Sequence, residues 1–182
     1  MKRKYIAIFF AVSLIFLLAG CGKGNDSDTD TGAEAKDTLS GSTADILSDV
    51  LEDVDVELPM MFDDAVTAET SQGMLGLTPD QFEQYIAEAT ASTAAISTFA
   101  VQFALVKCTD IPAAVEVKGL IAKGYDSSKW ICVMPEQSMT VESGSYVLLA
   151  VGPTAAVEAV LKSFTDAARD NVGSLDIFFS VS

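Results

Sequence analysis

The 182-residue chain contains no histidine. That removes the side chain most used as a general base near neutral pH, and with it the commonest transition-metal ligand. Basic residues are scarce: 11 lysines and arginines stand against 26 aspartates and glutamates. Three of them, Lys2, Arg3 and Lys4, crowd the first four positions, so that from Cys21 onward the balance is eight against 26, a net charge of −18. Such a surface repels nucleic acid, which is recognised through a basic footprint, and it repels anionic lipid headgroups for the same reason. Cysteine is limited to Cys21, Cys108 and Cys132. No Gly-x-Ser-x-Gly elbow is present, and a serine or cysteine nucleophile would lack histidine as its activating base. No phosphate-binding glycine loop occurs either; Gly73-Met74-Leu75-Gly76 reads as a turn.

What is present begins with an address. Met1-Lys2-Arg3-Lys4 is followed by an uncharged apolar run over residues 5–18, interrupted by Ser13. The run is shorter than the ~20 residues needed to cross a bilayer core. Basic start, short apolar core and small residues at its end describe an export signal over residues 1–20. Leu18-Ala19-Gly20-Cys21 resembles the bacterial lipobox. The resemblance implies cleavage between Gly20 and Cys21 and a diacylglycerol thioether on Cys21, which would place the protein on a cell membrane, facing the extracytoplasmic side. Two or more acyl chains hold a protein stably, whereas one binds marginally. Gly22 stands where inner-membrane retention would be signalled by aspartate.

Residues 21–41 are small, polar and acidic, with Leu39 as the one large apolar side chain. They bury too little surface to offset the entropy of ordering, and are expected to form a disordered linker. Asp26, Asp28 and Asp30 suggest a calcium loop, but its sixth and twelfth positions hold Thr31 and Asp37 instead of glycine and glutamate. A solvated spacer is the better account.

A single α+β domain is expected over residues 42–182. Ser42 with Asp45 caps a helix over 43–53, whose inner face is Ile46, Leu47, Val50, Leu51 and Val54. Residues 54–58 alternate as a short edge strand or extended linker. Met60, Met61 and Phe62 need cover, and a loop carrying Asp63, Asp64 and Glu69 runs to Gly76. Thr78-Pro79-Asp80-Gln81 starts a second helix, expected to end near Ala91. Residues 99–106 are apolar on both faces and read as a central strand. Thr109 or Asp110 caps a helix that ends at Gly124. Residues 138–142 and 145–151 form a hairpin around Ser143-Gly144. Gly152-Pro153-Thr154 opens a helix faced by Val157, Val160, Leu161, Phe164 and Ala168, and residues 175–181 are apolar enough for a last strand. The expected architecture is a small antiparallel sheet of three to four strands, the fourth being 130–134, with helices packed mainly on one face.

Three stretches carry a family resemblance. They are Leu75-Gly76-Leu77-Thr78-Pro79-Asp80 running into Tyr85, Ala104-Leu105-Val106-Lys107 with Asp110, and Ser143-Gly144-Ser145-Tyr146-Val147-Leu148-Leu149. In this order they resemble the domain-of-unknown-function family 4358, found in bacterial lipoproteins. Gln102 stands where that family often has an acidic residue. The resemblance implies fold class and location, with no activity or ligand attached.

Candidate chemistry is thin. Ser127 and Ser128 precede Lys129, but adjacency does not supply a positioned base. Asp63-Asp64 could serve carboxylate hydrolysis or calcium, yet carboxylates are everywhere in this chain. Met60 and Met61 could bind a soft metal; core filling accounts for them better. Tyr125 and Trp130 flank a polar loop as aromatic anchors do. Cys108 and Cys132 could form a disulfide outside the cytoplasm, although a domain this long can build a core without one. The composition favours a non-enzymatic binding or interaction module with the membrane, through Cys21, and an envelope protein as partners. No cofactor, metal or nucleic acid is called for. A small carboxylate hydrolase and an accessory component of a transporter are the alternatives.

Overall fold

The computed structural model describes residues 36–181 apart from Ser97 and Ile131; the export signal, Cys21 and the calcium-like aspartates lie outside them. These residues form helices α1 (Thr43–Glu52), α2 (Ala68–Leu75), α3 (Pro79–Tyr85), α4 (Ile111–Gly124) and α5 (Thr154–Ala167). The strands are β1 (Met61–Ala65), β2 (Ile86–Ala94), β3 (Gln102–Cys108), β4 (Gln137–Ser143), β5 (Tyr146–Gly152) and β6 (Asp176–Ser180). All pairings are antiparallel, in the order β1-β2-β3-β5-β4-β6. The α+β class holds, but the sheet has six strands, not three or four.

Helices cover both faces of this sheet, which corrects the one-sided packing expected. Phe103 and Leu105 of β3 join Leu148 and Ala150 of β5 beneath α1 and α5, while Ala104 and Val106 join Val147 and Leu149 beneath α2, α3 and α4. The connections explain the split. β3 reaches β4, and β5 reaches β6, each by a helical crossover that skips one strand in the same direction across the sheet. Because β3 and β5 run oppositely, two crossovers of one hand must place α4 and α5 on opposite faces. Each fully buried side chain among Phe103, Leu105, Leu148 and Leu149 contributes about 1.5–3 kcal/mol of transfer free energy.

The helix starts follow local chemistry. Ser42 Oγ accepts the Asp45 N–H at 3.1 Å. Asp110 Oδ1 accepts the Ala113 N–H at 2.7 Å, capping α4 with Pro112 in its first turn. Thr78 and Gln81 close a reciprocal capping box on α3. Caps of this kind stabilise by ~1 kcal/mol each. The helix started by Thr78, however, ends at Tyr85 rather than Ala91. The residues after it form β2, whose Ala89 and Ala91 face α2–α4 while Thr90 faces α1. A bulge between Ile86 and Glu88 shifts the register, so Ile86 and Ala89 share a face. The side chains of β2 are small because α1 lies close against them: Thr43 and Thr90 hydroxyls meet at 2.8 Å, and Glu88 accepts the Thr43 N–H at 3.2 Å.

Three further expectations need correction. Met61–Ala65 is an edge strand and Ala68–Leu75 a helix, where a loop was expected. Residues 54–58, read as an edge strand or an extended linker, are a linker, with Val54, Val56 and Leu58 packed on the α1–α5 core. Residues 132–134 are irregular. The last residues of the expected linker belong to the domain: Leu39 is buried, Thr38 donates to the Ala168 carbonyl at 2.9 Å, and Asp37 accepts the Ser145 N–H at 2.6 Å and its hydroxyl at 3.0 Å. Gly144 permits that contact. It sits at φ +56° in the β4–β5 turn, and a β-carbon there would collide with the Asp37 carboxylate.

Candidate functional site

Strand register brings Met61, Ala94, Gln102, Val151, Gln137 and Ser180 to one end of the sheet. The chain around this end leaves large apolar side chains uncovered. Met60 is 73% exposed and Phe62, near the start of β1, 60%. In the β2–β3 loop Ile96 is 57% exposed and Phe99 48%, and Met134, before β4, is 49% exposed. The Ala95 N–H bonds the Met60 carbonyl at 2.8 Å and the Phe99 N–H bonds the Ile96 carbonyl at 3.1 Å, so backbone pairing holds the loop in place. A cavity of about 280 Å³ opens between Leu58, Pro59, Phe99, Val101, Pro153 and Ala156, with Glu57 at its edge. A second, of about 180 Å³, shares Phe99, Val101 and Pro153 and is bounded by Met134 and Pro135. The two form one apolar depression astride Phe99 and Pro153. Uncovered apolar side chains at one end of the sheet, with an apolar depression beside Phe99, make this end the candidate interaction surface.

The aromatic pair expected to anchor a partner does something else. Tyr125 is buried and Trp130 half-buried, and both flank the Lys129 ammonium, at 4.4 and 5.3 Å from its nitrogen to the ring centres. Lys129 donates to Gln102 Oε1 and to the Gly73 carbonyl, both at 2.7 Å. Tyr125 donates to the same Gln102 oxygen at 3.2 Å, and Gln102 Nε2 donates to the Met74 carbonyl at 2.7 Å. This network ties the C-terminal end of α2, strand β3 and the loop after α4 together beneath the sheet. Its lysine is engaged by acceptors and rings and is not poised beside a serine. Ser127 pairs with Ser138 at 3.1 Å, and Ser128 donates to Asp126 at 2.6 Å.

Burial pulls the Lys129 ammonium down to about 8, against a smaller upward pull from Asp126. The unfolded chain therefore holds this proton to higher pH than the folded one, and the stability penalty of the buried charge is relieved as pH rises from about 8 towards 10.5. Burial, helped by Asp110, raises the Cys108 thiol to about 12, which acts in the opposite sense only above pH 9. Unfolding free energy measured between pH 7.5 and 9 should rise more steeply in the wild type than in Lys129→Met. Equal slopes would exclude the buried charge.

The other candidates do not converge. Asp63 and Asp64 are exposed neighbours on edge strand β1, so they point to opposite faces. No three histidine, cysteine or acidic groups cluster to hold a metal among the described residues. Met60 is exposed, whereas Met61 is half-buried against the core. Cys108 and Cys132 are both free, one buried and the other exposed. A second buried charge is structural: Lys118 of α4 reaches Glu142 of β4 at 2.8 Å and the Ser174 carbonyl and hydroxyl at 2.8 and 2.6 Å.

Phe99 and Ile96 were missed as site residues. Phe99 reads as the first residue of a strand, and Ile96 stands alone in a run of alanine, serine and threonine. The available signal was Met60-Met61-Phe62, three large apolar residues beside Pro59, of which the fold covers only the middle one in part. No helix among the described residues is long and apolar enough to cross a membrane. The chain matches no known family, no curated protein and no solved structure.

Proposed function

We propose that this chain is a lipid-anchored envelope lipoprotein, held on the extracytoplasmic side of the membrane through Cys21, and that it works as a non-enzymatic binding module. The observation that carries the binding role is the uncovered apolar end around Phe99, with its adjoining depression. Its position supports a partner other than the anchoring membrane. The linker joins the domain at the β4–β5 turn through Asp37 and Ser145, while Phe99 lies beyond the far end of the same strands. Seven residues of β5 separate the two by about 24 Å. The proposal includes membership of the domain-of-unknown-function family 4358, on the stretches that form the start of α3, strand β3 and the β4–β5 hairpin.

A photo-crosslinking amino acid in place of Phe99, in intact cells, should repeatedly trap one envelope protein. The same group at Val115, exposed at the opposite end of the fold, should not. Failure to trap a specific protein from position 99, or equal capture from both positions, would count decisively against the binding role.

A further inference from the structure

A charged cavity follows the apolar one along α5, its lining residue Ala159 about one helical turn on from Ala156. It has a volume of about 130 Å³ and is lined by Asp53, Asp55, Ala159, Lys162, Ser163 and Asp166. Both cavities have α5 as one wall and the segment leading from α1 to β1 as the other. In that segment Val54, Val56 and Leu58 are half-buried on the core, and Asp53, Asp55 and Glu57 between them are exposed. The result is a groove with an apolar half at Phe99 and Pro153, an acidic half at Asp53 and Asp55, and acids at every second position along one wall.

We propose that this groove receives an extended segment of the partner protein that alternates apolar and basic side chains. The inference rests on the reading of the Phe99 end as the partner site and adds the partner's chemistry. Three observations select this occupant. From Pro153 to Asp166 the α5 wall runs ~20 Å, the length of about six extended residues. Lys162 is paired with Asp166 at 2.7 Å and also attracts Asp55 and Asp53 from beyond ion-pair distance, so three carboxylates line this cavity against one ammonium. An extended chain presents every second side chain to the same side, the sequence spacing at which Asp55 and Glu57 follow the α1 cap Asp53 along this wall. A second copy of this protein would bring another strongly acidic surface to an acidic wall, and an anionic bilayer would be repelled likewise.

The test uses the mature lipidated protein in phosphatidylcholine vesicles, with protein-free vesicles as the blank. The probe is a fluorescent hexapeptide of alternating leucine and lysine, read by anisotropy. It should bind the wild type, more weakly as salt is raised. The double charge reversal Asp53→Lys with Asp55→Lys should weaken binding at least tenfold, and Phe99→Ser should do the same. All three positions are exposed, and an unchanged unfolding midpoint would show that the fold survives. Alternating leucine and glutamate should not bind. Equal binding by the charge-reversed protein, or by the leucine–glutamate peptide, overturns the inference. So does a stable dimer in solution that Phe99→Ser dissolves. If the probe fails to bind while position 99 still traps an envelope protein in cells, the groove inference falls and the binding role stands. If both experiments fail, both fall.

Discussion

Gly76→Ala should destabilise the domain by about 2–5 kcal/mol, the sum of a left-handed backbone forced on a residue with a β-carbon and an overpacked site. Gly76 ends α2 at φ +73°, and its N–H closes the helix on the Gln72 carbonyl at 3.2 Å. An added β-carbon would run into the backbone of Gly124 and the Tyr125 nitrogen, where α4 ends. Backbone cannot swing aside as a side-chain tip can. Gly124→Ala would strike the Gly76 carbonyl from the other direction and should be damaging too. The loss is large against a typical stability of about 5–15 kcal/mol. Gly73→Ala supplies the matched comparison. It lies inside α2, exposed, with open space where its β-carbon would stand, and should gain about 0.5–1 kcal/mol. Denaturant unfolding of the three variants checks the ordering. A Gly76→Ala protein within 0.5 kcal/mol of wild type, on the typical scale of a harmless surface change, would show that the two helix ends do not meet this closely.

Under the proposed anchor, Cys21→Ser should leave the chain without lipid, either released from the membrane or held there unprocessed with its signal. A hydroxyl in place of the thiol cannot carry the thioether-linked lipid, and the apolar run over residues 5–18 is too short to substitute as a span. The expected outcome is either soluble protein or accumulation of unprocessed chain, read by fractionation and by the mass of the N-terminal peptide. Cys108→Ser and Cys132→Ser should leave anchoring intact. Lipid-linked, fully membrane-bound Cys21→Ser protein would refute the anchor. The contrast between the two proposed experiments is useful: the glycine variants alter folding without touching the anchor, and the cysteine variant the reverse.

The elements legible in the amino-acid order were those whose ends carry their own chemistry. Ser42 and Asp110 cap their helices as expected, Gly124 ends α4, and the β4–β5 hairpin turns at Gly144. Strand β2 was illegible for a physical reason. Its Ala89, Thr90, Ala91 and Ser92 are small because a helix lies close on them, and small residues suit a helix equally well. Strand β1 has acids at Asp63 and Asp64 and no alternation, as an edge open to water allows. The two-sided apolar character of β3 did announce burial on both faces. Which helix would take which face depends on crossovers that no local pattern records. At the site, the expected need to cover Met60 and Phe62 was sound chemistry with an unexpected answer, since nothing within the described chain covers them.

The placement of the linker contact has a mechanical consequence. Asp37 grips the turn between β4 and β5, and Phe99 lies past the other end of β3 and β5, the two strands at the centre of the sheet. Tension between an anchored N-terminus and a partner held at Phe99 would therefore act along the strands. Along that direction the β3–β5 ladder, paired from Gln102 with Val151 to Lys107 with Tyr146, is loaded in shear, so its hydrogen bonds share the force instead of opening one after another. With the proposed anchor and partner in place, the domain would act as a coupling that resists being pulled apart along its own strands.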